Sequence, residues 1–183
     1  MNHFEYVSVA VALVFSLAIA RLLGGLPHTS ARGRGAVLPL VFNVAMILAG
    51  MTSWWITWRF KDVEWTPLGF AWILAVPGFL YLRAAILLTD NPGQIASWDE
   101  QYWGARRRFF GVGMAAGVHS AFLPWVVGAI DWFTPAAIHT GTLVILLACA
   151  IGIWSESRRV HLALALLYIA LPVLYLFLTP TNL

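Results

Sequence analysis

Charge is what this sequence has least of. Eleven Lys and Arg and eight Asp and Glu amount to 10% of its 183 residues, against about 25% in a soluble globular domain. Nineteen charged side chains do not cover a protein of this size in water, so a soluble fold is excluded. The single cysteine, Cys149, excludes a disulfide scaffold and any thiol enzyme that needs a cysteine pair. The single lysine, Lys61, lies in a loop, which excludes a retinal Schiff base inside a membrane. Disordered and fibrous classes fall to the 61% hydrophobic composition and the mean hydropathy of +0.80.

What is abundant is long apolar sequence. Crossing a hydrocarbon core takes roughly 20 residues of helix. Six runs reach that length, at about 5–25, 36–58, 66–88, 108–130, 135–154 and 160–178. Their punctuation is helical. Gly24-Gly25 followed by Pro27 reads as the stop of the first. Thr66-Pro67 and Thr134-Pro135 read as a capping hydroxyl followed by a first-turn proline. Pro77, Pro124 and Pro172 lie inside runs, where kinks are expected. A membrane barrel would show alternating segments of about ten residues instead. No positive region precedes the first run and no clean cleavage site follows it, so it reads as a span and not as a signal peptide. The expected fold is an all-α bundle of six transmembrane helices, with residues 1–183 forming one transmembrane domain.

The arginines orient it. Arg21, Arg32, Arg34, Arg83, Arg106, Arg107, Arg108, Arg158 and Arg159 fall on one side of a six-span path, and only Arg59 and Lys61 on the other. By the positive-inside rule the first side is cytoplasmic and both termini are periplasmic. The outer side carries Glu5, Asp62, Glu64 and Asp131 among Trp54, Trp55, Trp58, Trp65, Trp125 and Trp132, an interfacial aromatic belt. Glu64-Trp65-Thr66-Pro67 and Asp131-Trp132-Phe133-Thr134-Pro135 echo each other. They mark either a repeated two-helix hairpin or the common chemistry of an outer turn.

The longest loop, about 89–107, opens with the turn Asp90-Asn91-Pro92-Gly93. Ser97 and Glu100 form a capping box, and Ile95, Trp98 and Tyr102 follow at helical spacing. A short interfacial helix is expected at about 98–107, running into span 4 and setting Arg106, Arg107 and Arg108 on anionic lipid head groups.

Several intramembrane chemistries fail on spacing. With about 1.5 Å of rise per residue, His119 lies roughly 15 Å up span 4 and His139 about 6 Å inside span 5 from the opposite face. At different depths they share no metal and offer no paired haem ligands. Ser120 directly follows His119, so the two diverge by about 100° around a helix and form no nucleophile–base pair. Arg106, Arg107 and Arg108 are contiguous, unlike the every-third arginines of a voltage sensor. No cofactor and no nucleic-acid partner are expected.

Arg21, Asn43, Arg83 and His119 remain, the first three in the cytoplasmic half. An arginine in a bilayer costs a few kcal/mol or more unless it is paired or reaches water. Either Arg21 and Arg83 flank a cytoplasm-facing basic cavity, or they snorkel and pair with Asp90, Glu156 or backbone carbonyls. In the first case the cavity suits a small anion, a carboxylate or a lipid head group, with Asn43 as hydrogen-bond donor and His119 as a proton-linked gate. In the second, Asn43 is interhelical glue and His119 packs. Gly111, Gly113, Ala115, Ala116 and Gly117 allow close approach of helices and mark span 4 as central.

The segments Phe4-Glu5-Tyr6-Val7-Ser8-Val9 and Ala20-Arg21-Leu22-Leu23-Gly24-Gly25-Leu26, the Trp-rich end of span 2 and the stretch from Trp103 to Phe110 resemble a group of small uncharacterised bacterial six-helix integral membrane proteins. The resemblance implies a bacterial inner-membrane setting and no activity. Three readings follow. One is a small channel or carrier-like protein, expected as a homo-oligomer because six short helices enclose little besides their own packing. The second is a non-catalytic accessory subunit of a larger membrane complex. The third is a membrane enzyme, for which the sequence offers no nucleophile, carboxylate pair or metal cluster.

Overall fold

A computed structural model describes residues 3–30, 36–89, 91, 95–128 and 135–178, with the side chains of 30, 135–140 and 178 left aside. Six helices account for nearly all of these residues: α1 (His3–Ser30), α2 (Val37–Thr57), α3 (Pro67–Leu87), α4 (Trp98–Val126), α5 (Pro135–Trp154) and α6 (Arg158–Leu178). Five are long and apolar enough to cross a bilayer, and the 20-residue α5 is apolar along its length. By helix length and hydropathy the chain is a multi-pass membrane protein.

Local signals set the helix starts. The Thr66 hydroxyl accepts the Gly69 N–H at 3.0 Å, with Pro67 in the first turn of α3. The Ser97 hydroxyl accepts the Glu100 N–H at 3.4 Å to start α4, with Asp99 and Glu100 in the favourable first turn. α2 tightens into a 3-10 turn, Trp58–Phe60, at its end. Asp131 to Thr134, most of the second half of the proposed echo, and most of the Asp90–Gly93 turn lie outside the described residues.

Two expected boundaries are corrected. α1 does not stop at Gly24-Gly25 but runs through Pro27 to Ser30. Gly25 serves packing, not termination: a Cβ there would meet the Leu88 side chain at 2.4 Å. The Thr29 hydroxyl, donating to the Gly25 carbonyl at 3.0 Å, steadies the last turn. The expected interfacial helix at 98–107 and span 4 are one unbroken helix of 29 residues. Trp98, Tyr102, Ala105, Arg106, Phe109, Phe110, Gly113 and Gly117 form one continuous buried stripe, so nothing in the packing asks for a break at Arg106–Arg108. At about 1.5 Å per residue the 29-residue α4 is longer than a bilayer core is thick.

Sequential helices run antiparallel, which gives the bundle a tryptophan end and an arginine end. α1 packs on α2 and α3, α3 on α4, α4 on α5, and α2 on α6. Among the described residues α5 and α6 make few contacts with each other, so there the ring is nearly open between them. The arginine half is filled by aromatic rings. Phe42 stacks on Tyr102 with ring centroids 5.6 Å apart and meets Phe109, Phe110 and Tyr168 edge-on. At the tryptophan end Trp55, Trp58 and Trp125 are exposed, as an interfacial belt requires.

Candidate functional site

Above the aromatic plug, on its tryptophan side, lies a central void of about 280 Å³ that all six helices line. Its floor is Arg83. This side chain is buried, at 7% exposure, and points from α3 toward α4 and α6. Gly113 makes room for it: a Cβ there would lie 3.2 Å from the guanidinium carbon and 3.0 Å from Cys149 Sγ. The guanidinium lies 4.2 Å from the ring centroid of Phe109 and 5.1 Å from that of Tyr168. Cation–π contact of this kind offsets part of the charge's burial but supplies no acceptor for its N–H groups. Arg83 Nε and Nη2 are buried without a hydrogen-bond partner, and no carboxylate among the described residues pairs with it. The Tyr168 hydroxyl lies 3.0 Å from Cys149 Sγ and also interacts with the Arg83 guanidinium, so it answers only part of that group's hydrogen-bonding demand.

From Arg83 the void runs toward the tryptophan end, past Met46, Ala49 and Gly117 to Ser53, Ser120 and Tyr175. A smaller recess of about 160 Å³ continues it toward Phe60, Leu123 and Pro124. The walls are largely apolar. A single chain thus encloses real space, contrary to the expectation that six short helices enclose only their own packing.

The four residues expected to share one basic cavity do not do so; Arg83 alone lines the void. Arg21 Nη2 donates to the Leu88 carbonyl at 3.3 Å, just past the end of α3, where a cation meets the negative end of the helix dipole. Its guanidinium also lies 5.7 Å from the Tyr81 ring centroid. Asn43 Nδ2 donates to the Leu22 carbonyl at 3.0 Å and ties α2 to α1. His119 lies in the α3–α4 seam, stacked on Trp72 at 4.5 Å and met by Phe79 at 5.2 Å. Trp72 Nε1 donates to the backbone carbonyl of His119, and both ring nitrogens of His119 are buried without a partner. Depth placed these residues at comparable levels; the rotation of each helix sends them to different neighbours.

Sequence reasoning missed a second polar group at the arginine end. Buried His161 sets its Nε2 3.0 Å from the Ser155 carbonyl and its Nδ1 2.5 Å from the Tyr102 hydroxyl. A carbonyl only accepts, so Nε2 carries the proton and the Tyr102 hydroxyl donates to Nδ1. Arg106, expected on lipid phosphates, is buried and bonds Glu156 Oε1 at 2.7 Å. That guanidinium holds the exposed Glu156 carboxyl below the usual carboxylate range. Arg158 pairs with Asp99 at 3.0 Å. Arg107 and Arg108 are exposed. The signal for this group was the spacing from Trp98 to Tyr102 to Arg106, which keeps all three on one helix face.

Among the described residues no three His, Cys, Asp or Glu side chains gather to hold a metal ion. Comparison of the sequence with protein-family models, with curated proteins and with solved structures gives no match.

Proposed function

We propose that the chain is a small bacterial inner-membrane protein of carrier or channel type that binds an anion, free or as the head group of a lipid, at Arg83. The observation that carries the reading is a buried guanidinium with unsatisfied N–H groups at the floor of an internal void. Buried charge is retained in a bilayer at a cost of a few kcal/mol, and a bound anion is what repays it.

The uneven arginines put the arginine end in the cytoplasm and both termini in the periplasm. In that orientation the void lies on the periplasmic side of Arg83, separated from the cytoplasm by the Phe42, Tyr102, Phe109 and Phe110 rings. This replaces the cytoplasm-facing cavity that the sequence alone led us to expect, and it removes Arg21, Asn43 and His119 from the ligand's reach.

Thermal unfolding in mild detergent tests the site. Inorganic phosphate, butyrate and hexadecanoate are titrated against wild type and Arg83→Leu. A ligand at about 100 times its Kd contributes about 2.7 kcal/mol, so at least one of the three raises the wild-type midpoint and leaves the variant unmoved. A panel that moves neither protein, or both equally, contradicts the reading. Protease added to intact spheroplasts checks the orientation: tags at both ends are cleaved. Protection of a tag that is cleaved after lysis inverts the assignment.

A further inference from the structure

Three observations together say what kind of anion the void takes and by which route. The first is the local chemistry around Arg83. Gly113, Phe109 and Tyr168 pack against the guanidinium, Met46, Leu80, Ala116 and Gly117 line the same void, and the Tyr168 hydroxyl lies 3.0 Å from Cys149 Sγ. An incoming anion finds one guanidinium with unsatisfied Nε and Nη2, and beside it the Tyr168 hydroxyl that Cys149 shares. A phosphate has more oxygens than this can serve and would leave some of them buried and unsatisfied. A carboxylate has two, which match the guanidinium fork.

The second is the shape and polarity of the remaining space. A carboxylate uses only the floor of a void of about 280 Å³, and the rest is walled mainly by aliphatic and aromatic side chains. An apolar chain continuous with the head group fills such space favourably.

The third is the gap in the ring. α5 and α6 are joined by only residues 155–157, yet they hardly pack on each other. Their side-chain hydrogen bond, Cys149 to Tyr168, lies at the level of Arg83. On the tryptophan side of that bond Thr142 and Ile145 of α5 and Leu171 and Tyr175 of α6 all line the void. The hairpin is pinned near Arg83 and parted above it, so the void faces the bilayer sideways.

From these we infer that the ligand is a single-chain amphiphile with a carboxylate head, which enters from the bilayer between α5 and α6, sets its head on Arg83 and leaves its chain along the void. This rests on the anion-binding reading and narrows it from anions in general to membrane-resident organic acids.

The test uses the full chain in lipid nanodiscs and a hexadecanoate carrying a mid-chain photoactivatable diazirine, with labelled residues mapped by peptide mass spectrometry. Labelling is expected on the α5 segment 142–147 and the α6 segment 171–175. Unlabelled hexadecanoate suppresses it, while hexadecanol, butyrate and inorganic phosphate do not. Loss of one charge-assisted hydrogen-bonded pair reduces binding about tenfold or more, so Arg83→Leu lowers the labelling by at least that factor. Ile145→Trp, which fills the void and leaves Arg83 intact, lowers it as well and guards against a folding defect at position 83. Equal competition by butyrate or phosphate overturns the inference and leaves the anion site standing. Equal competition by hexadecanol, with Arg83→Leu labelled like wild type, overturns both.

Discussion

The bundle buries two arginines, Arg83 and Arg106, and treats them oppositely. Arg106, at the arginine end, has Glu156 within 2.7 Å and the Trp103 ring 5.3 Å from its guanidinium carbon. Arg83, at the floor of the void, has aromatic rings and no carboxylate. The first arrangement is complete within the chain. It ties the start of α4 to the α5–α6 turn and needs nothing more. The second is incomplete, and a cation left incomplete in low dielectric is the physical signature of a place where something else binds. Composition treats the two residues alike; their surroundings differ, and on the proposed reading one serves structure and the other a ligand.

The sharpest way to break the comparison is Gly113→Leu. Overpacking a filled site costs about 1–3 kcal/mol, and here the added carbons collide with Cys149 Sγ and the Arg83 guanidinium. Thermal unfolding is expected to show that loss together with the disappearance of ligand stabilisation. Retained ligand stabilisation would mean that Arg83 is not where the ligand sits.

Tyr102→Phe probes the complete end. It leaves buried His161 Nδ1 without its donor, at a cost of about 1–3 kcal/mol. Because Phe keeps the ring in the aromatic plug and the lost hydroxyl points to His161 and not into the void, ligand stabilisation measured on the same sample is expected to persist. A variant as stable as wild type would show that the Tyr102–His161 bond contributes nothing.

The smallest effect is on pH. The Glu156 carboxyl is held below its ordinary range by the Arg106 hydrogen bond and charge. A lowered folded-state value means that its stabilisation is fully present above the ordinary carboxylate range and is lost as pH falls through the folded-state value. Wild type is therefore expected to lose a little stability on acidification that Glu156→Gln does not lose, with unfolding midpoints across that range as the readout. Parallel pH profiles would remove the ion pair from the account.

Helix count, type and most boundaries were legible in the sequence, because runs of about 20 apolar residues and caps such as Thr66 and Ser97 are local signals. Gly25 misled because a glycine that stops a helix and one that admits a neighbour's side chain look the same until Leu88 is seen against it. The site was legible only in part. The cost of burying a guanidinium singled out Arg83, and depth along each helix came from counting. Rotation did not: lipid is as apolar as the protein core, so helices such as α3 and α5 carry no polar face to show which side looks inward. That is why Asn43 and His119, counted into the cavity, turn out to face α1 and α3. The pairing of Arg106 with Glu156, 50 positions apart in the chain, is tertiary and leaves no local trace.

Native mass spectrometry of the intact protein released from mild detergent tests the central claim most directly. Wild type is expected to carry a bound acidic molecule of constant mass, and Arg83→Leu purified in parallel is expected to be bare. The same adduct at the same occupancy on both proteins would contradict the claim that Arg83 holds a ligand.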